Sequence, residues 1–174
     1  MAAVGAILVA DYRTARITGW LNPEADPLDT GYQLLQSLYA LGNGGWFGTG
    51  LGASRGKWDY IPNPETDFIF AIIGEELGLL GALAVVALFT GVLVVGLRIA
   101  ARADDHFGRT VAAGVTAWLV GQAFLNIGTV TGLLPITGVT LPLVSVGGSS
   151  LVSTLVALGI LCSIARSNGV EAVE

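Results

Sequence analysis

Residues 59–81 read DYIPNPETDFIFAIIGEELGLLG, and within them a polar, proline-broken approach turns into a long apolar run. Pro62 and Pro64 disfavour a helix before Thr66, because proline lacks a backbone N–H and restricts the residue ahead of it. From Phe68 onward the only charges before Arg98 are Glu75 and Glu76. That run exceeds the about 20 residues a membrane span requires. Asp67 stands where the two regimes meet, a carboxylate at the mouth of a membrane helix. Ionisable groups there are expensive to desolvate and are kept for a purpose.

Composition carries the same message over the whole chain. Of 174 residues, 53% are hydrophobic and 12% charged, against about 25% charged in soluble domains. The apolar residues come in long runs, which predicts an all-α integral membrane protein, a polytopic helix bundle. The 25 glycines fit close helix packing in lipid. A net charge of −5 excludes nucleic acid as a natural partner. Cys162 lies alone in an apolar run and reads as a small buried hydrophobe. His106, the only histidine, sits among Asp104, Asp105 and Arg109 as a loop residue. A lone cysteine leaves no disulfide framework or thiolate metal site, and a single loop histidine argues against a histidine-based metal site or triad.

Taken in order, residues 1–10 are apolar but too short to span, without the features of a signal peptide, and read as the end of a truncated membrane helix. Residues 11–67 form one long non-spanning loop, and loops of that length are usually functional. Within it Arg13 and Arg16 are three apart and share a helical face, suited to phosphate or to interfacial snorkelling. Pro23 and Pro27 mark a turn region, after which Thr30 is placed to cap an amphipathic helix of about three turns from Gly31. Gly42 to Gly52 holds six glycines in eleven residues. It lacks the Walker Gly-Lys-Ser/Thr, so a tight re-entrant-like loop anchored by Trp46 and Phe47 is the better reading.

Three spans follow, at 68–97, 110–130 and 151–165, separated by a charged loop at 98–109 and an apolar, glycine- and proline-broken segment at 131–150. That segment cannot be a regular helix and is expected to re-enter the protein. A polar tail occupies 166–174. The first span is long enough to require tilt. At 100° per residue Glu75 lies 80° from Asp67 and Glu76 lies 180° away, so only Glu75 can share its side (roughly two turns on). Gln122 and Asn126, at i and i+4, read as interhelical hydrogen-bond glue. Basic residues divide equally, Arg13, Arg16, Arg55 and Lys57 against Arg98, Arg102, Arg109 and Arg166, so charge alone leaves orientation open.

Three blocks carry a family resemblance. The first is Tyr12-Arg13, Asn22-Pro23, Asp26-Pro27 and Gly31-Tyr32-Gln33. The second runs from Gly44-Gly45-Trp46-Phe47-Gly48 through Thr66-Asp67-Phe68 to Gly74-Glu75-Glu76-Leu77-Gly78. The third is Gly132-Leu133-Leu134-Pro135, Leu141-Pro142-Leu143, Ser145 and Gly147-Gly148-Ser149-Ser150. In that order they resemble the SEDS proteins (shape, elongation, division and sporulation), the FtsW/RodA/SpoVE group, over nearly the whole chain. The Ile-Gly-Glu-Glu form is more similar to the division-type FtsW branch than to the RodA branch.

The resemblance implies a ten-helix glycosyltransferase of the bacterial plasma membrane that polymerises lipid II, the undecaprenyl-pyrophosphate-linked disaccharide peptide, into glycan strands. This chain would supply the end of helix 7, the large extracytoplasmic loop and helices 8 to 10. It further implies a class B penicillin-binding transpeptidase and other divisome or elongasome proteins as partners, an outward-facing 11–67 and 131–150, and Asp67 as the catalytic residue. Two departures stand out. Ile136-Thr137-Gly138 replaces the Thr-Lys-Gly of many members, and Val146 replaces a tyrosine common before Gly-Gly. Any role of that lysine is absent here or falls to another cation such as Arg55 or Lys57.

Such a transfer needs a base for an acceptor hydroxyl and cations for a departing pyrophosphate. Asp67 is the expected base. Arg13, Arg16, Arg55 and Lys57, with Ser145, Ser149 and Ser150, are the expected pyrophosphate and substrate contacts. Asp59, Glu65 and Glu75 are expected to support Asp67 from further out, or else to be solvated acids and helix-pairing carboxylates. A divalent cation, Mg or Mn, between Asp67 and the pyrophosphate is compatible with this chemistry, although no carboxylate cluster demands one. Two rival functions use the same cavity: a lipid II flippase, which needs a path past Glu75, and a non-catalytic scaffold for a transpeptidase, in which Asp67→Asn would be harmless.

Overall fold

The computed structural model describes residues 17–25, 31–54 and 67–170, with side chains as far as 167. Among these residues all regular structure is helical. After a helical turn at 17–21 and a 3-10 helix at Pro23–Ala25 come α1 (Tyr32–Gly44), α2 (Ile69–Arg102), α3 (His106–Val130) and α4 (Gly148–Val170). The last three are long and apolar enough to cross a membrane, and most of their surface faces outward. Leu83, Leu88, Val95 and Val152 are exposed along them, as lipid-facing positions should be.

Helix α3 packs against both α2 and α4, while α1 lies mainly on α2. Glycine sets the α2–α3 approach: a Cβ on Gly96 would strike the side chain of Thr116, so only a residue without one lets the backbones come this near. One apolar cluster, at the linker end, holds Ala100, Ala112 and Leu161. The other gathers Ala40 of α1, Phe68, Phe70 and Ala71 at the start of α2, Ala123 and Val130 of α3, and Leu141. Burying Phe68 and Phe70 contributes roughly 1.5–3 kcal/mol each where water is the alternative. That second cluster fixes the start of α2.

Several boundaries differ from the sequence expectation. The charged loop at 98–109 shrinks to Ala103–Asp105. Arg98 and Arg102 belong to the end of α2, where cations favour the helix dipole. Asp105 is the N-cap of α3 and accepts a hydrogen bond from Gly108 N at 2.6 Å. At the other end α4 begins at Gly148 and continues to Val170, through most of the expected tail. No proline interrupts it there. Helix α1 includes Gly42–Gly44, and its N-cap is Gly31 rather than Thr30, with no side-chain cap bond.

The largest difference lies inside α2. Instead of one tilted rod, the helix breaks at Gly78 (φ 69°, ψ −165°). A break in a membrane helix strands backbone groups, which must find partners within the protein. The glycine-rich loop after α1 supplies them. Gly45 and Trp46 carbonyls accept from Leu79 N (2.9 Å) and Leu80 N (3.4 Å), while Thr49 N and Gly50 N donate to the carbonyls of Glu75 (2.9 Å) and Glu76 (3.1 Å). So tight an approach excludes side chains. A Cβ on Gly48 would strike the Glu76 carbonyl, and one on Gly78 would strike the Gly48 backbone.

Candidate active site

Asp67 is half-buried immediately before α2, between that helix and the segment joining α3 to α4. The segment is shaped to meet it. Helix α3 ends at Val130; just beyond it Gly132 (φ 77°) bonds the Thr129 carbonyl through its N–H at 3.1 Å, and Leu134 N returns to the Gly128 carbonyl at 3.0 Å. The chain then runs back along α3. Val139 O accepts from Asn126 Nδ2 at 2.7 Å, and Thr140 Oγ1 accepts from Gln122 Nε2 at 3.4 Å. Having descended from residue 131 to the level of residue 122, it turns at Leu141–Ser145.

This arrangement brings Gly138 to the carboxylate. A Cβ built on Gly138, itself at φ 68°, would lie 3.5 Å from Asp67 Oδ2. No described residue donates a hydrogen bond to that carboxylate. Thr137 is exposed one residue away. The Asp67 backbone is tied to α3: its carbonyl accepts from Asn126 Nδ2 at 2.8 Å. Trp20 Nε1 donates to the Gly132 carbonyl at 2.8 Å, and Ser37 Oγ donates to the Val130 carbonyl at 3.1 Å. These two bonds pin the loop-end helices over the same junction.

The other expected site residues separate into three groups. Arg13, Arg16, Arg55, Lys57, Asp59 and Glu65 lie outside the described residues. Ser149 is exposed and Ser150 half-buried at the start of α4, the Ser150 hydroxyl 3.4 Å from that of Thr140. Ser145 is buried, and its Oγ accepts from Leu141 N at 2.7 Å, so this hydroxyl shapes the turn. Leu143, in the same turn, is the one non-glycine with positive φ (66°) among the described residues, a costly conformation for a bulky side chain.

Glu75 is 3% exposed and accepts from Ser54 Oγ at 2.5 Å. It fastens the end of the glycine loop, just ahead of Arg55 and Lys57 in sequence. Glu76 is also buried; because the helix begins only at Ile69, after Asp67, the 100°-per-residue comparison of the two acids with Asp67 does not carry over. Among the described residues no three His, Cys, Asp or Glu side chains group together as a metal site.

Sequence reasoning missed two features: the interlocked glycines Gly48 and Gly78, and the direct bond from Asn126 to Asp67. For the first, a signal existed in the pairing of a glycine-rich loop with a glycine inside a span. For the second, the only signal was an amide in an apolar run.

A family model for cell cycle proteins, FtsW/RodA/SpoVE, matches residues 1–169. The chain belongs to this family. The FtsW/RodA/SpoVE assignment confirms the resemblance carried by the three motif blocks. Stage V sporulation protein E of Bacillus subtilis (strain 168) is 53% identical over 163 residues, covering 94% of this chain and 44% of that protein. The probable peptidoglycan glycosyltransferase FtsW of Mycobacterium tuberculosis (strain ATCC 25618 / H37Rv) is 55% identical over 157 residues, covering 90% and 30% respectively. The chain therefore spans less than half the length of these FtsW/RodA/SpoVE relatives. A solved structure of a peptidoglycan synthase complex, described for its coordination of polymerization and crosslinking, matches with a TM-score of 0.72 at 26% identity. The match covers 95% of this chain and 48% of that one.

Proposed function

We propose that this chain forms the catalytic end of a membrane glycosyltransferase that polymerises lipid II into peptidoglycan strands, with Asp67 as general base. The observation that carries the reading is the setting of Asp67. It is half-buried where a broken membrane helix meets a re-entrant segment, and its carboxylate is left without a donor among the described residues. A carboxylate so placed can accept a proton from a substrate hydroxyl. Relatives named as probable peptidoglycan glycosyltransferases support the substrate class.

In the proposed step the acceptor hydroxyl loses its proton to Asp67. Its oxygen attacks the anomeric carbon of the donor sugar as the bond from that carbon to the pyrophosphate oxygen breaks. The electron pair leaves with the lipid pyrophosphate, whose charge falls to Arg13, Arg16, Arg55 and Lys57, while Ser149 and Ser150 offer hydroxyls at the start of α4. The loop end of the bundle faces outward, where the sugars of lipid II lie. A class B penicillin-binding transpeptidase is the proposed partner, in keeping with the synthase complex that this fold matches.

The full-length parent, reconstituted in liposomes with its partner and labelled lipid II, tests this against the flippase reading. Glycan strands should form while the distribution of lipid II between leaflets stays as prepared. Redistribution of lipid II without polymer would replace the transferase by a transporter.

A further inference from the structure

We infer that Asn126 is a positioning residue for the transfer reaction, the amide that sets where the Asp67 carboxylate stands against the re-entrant segment. The inference rests on the reading of Asp67 as base. Asn126 is 1% exposed, and its one amide nitrogen donates twice, to the Asp67 carbonyl at 2.8 Å and to the Val139 carbonyl at 2.7 Å. Both neighbours are acceptors, so only the NH₂ end of the side chain fits there and its orientation is fixed by the network. The two carbonyls belong to different elements, the start of α2 and the segment after α3. A single side chain from α3 therefore fixes the start of α2 relative to Gly138, the residue next to Val139 that abuts Asp67 Oδ2.

Ordinary packing does not account for this amide. Its Oδ1 is buried and has no hydrogen-bond partner among the described residues, so the side chain carries an unmet acceptor in order to present two donors. Gln122, one turn earlier, also has an unpartnered buried oxygen, but its amide nitrogen makes one long bond to Thr140 and none to Asp67. Of the two amides read together as glue, only Asn126 reaches the catalytic junction.

The test compares Asn126→Ala, Asn126→Gln, Thr116→Ala and Asp67→Asn in the full-length parent with its partner transpeptidase, at equal concentrations of folded protein. Labelled lipid II is the substrate. Loss of both donors lets the carboxylate drift, and a shift of about 1 Å costs on the order of 100-fold in rate. Asn126→Ala should therefore lower kcat about 10- to 100-fold with KM within about threefold. Thr116→Ala removes a buried α3 hydroxyl that bonds only its own helix, at Ala112 O; it should lower the melting temperature and leave kcat unchanged. Should Asn126→Ala fail to fold, Asn126→Gln keeps the amide but displaces it by a methylene, and should show the same loss in kcat.

Unchanged kcat in the variant that folds, a change in KM alone, or an equal kcat loss in Thr116→Ala would each overturn the inference. An inactive Asp67→Asn beside a fully active Asn126→Ala would remove the role of Asn126 alone. An active Asp67→Asn would remove the base, and the inference with it.

Discussion

Asp67 and Glu75 are both carboxylates beside apolar surroundings, yet the structure treats them oppositely. Asp67 is half-buried and has no hydrogen-bond donor among the described residues, whereas Glu75 is 3% exposed and held by Ser54. The first is the one proposed for chemistry; the second is committed to holding a loop. Removing the Ser54 hydroxyl should therefore cost stability before it costs chemistry. Ser54→Ala takes a donor from a buried carboxylate, at a cost of about 1–3 kcal/mol, and should lower the melting temperature of the full-length parent by several degrees. Polymerisation at a temperature where the variant stays folded should fall only if the basic residues that follow in sequence move with the loop. A melting temperature equal to that of the unaltered protein would show that the Ser54–Glu75 bond holds nothing.

Among the elements, the junction between the glycine loop and the break in α2 is what ties the loop to that helix. Four backbone hydrogen bonds cross it, replacing those the helix gives up at Gly78. Gly48 sits at φ 81° against the Glu76 carbonyl, so Gly48→Ala is both strained and sterically blocked. Backbone strain of this kind costs about 1–3 kcal/mol. The variant should be less thermostable than Gly42→Ala, which meets nothing within 4 Å and lies inside α1. Equal melting temperatures for the two would mean that the loop does not dock as described. The three long apolar helices and the irregular stretch between α3 and α4 were legible, because long apolar runs and Pro/Gly interruptions report directly on the solvent each segment needs. The break was not. Gly78 is one of several glycines in an apolar run, and its strain is relieved by a loop some thirty residues earlier, a contact that no local pattern encodes. Helix ends were misjudged for a related reason: Arg98 and Arg102 are charged, but charge at a helix C-terminus is favourable.

At the scale of the whole molecule, three spans present most of their apolar surface outward, and the chain covers 30–44% of the relatives compared above. The isolated 174 residues are accordingly expected to form no glycan strand from lipid II, and strand formation by them would show that the described junction suffices for catalysis. The position of Asp67 ahead of α2 was legible because the polar, proline-broken approach ends there and the apolar run begins one residue on. Its restraint by Asn126 was not, since the bond spans 59 residues. The most direct measurement is the kcat for polymerisation of labelled lipid II by the full-length parent with its transpeptidase partner, unaltered and as Asp67→Asn. The asparagine should fold, bind the partner and lose activity by about 100-fold or more, as expected when a general base is removed. A kcat unchanged by that substitution would contradict the account.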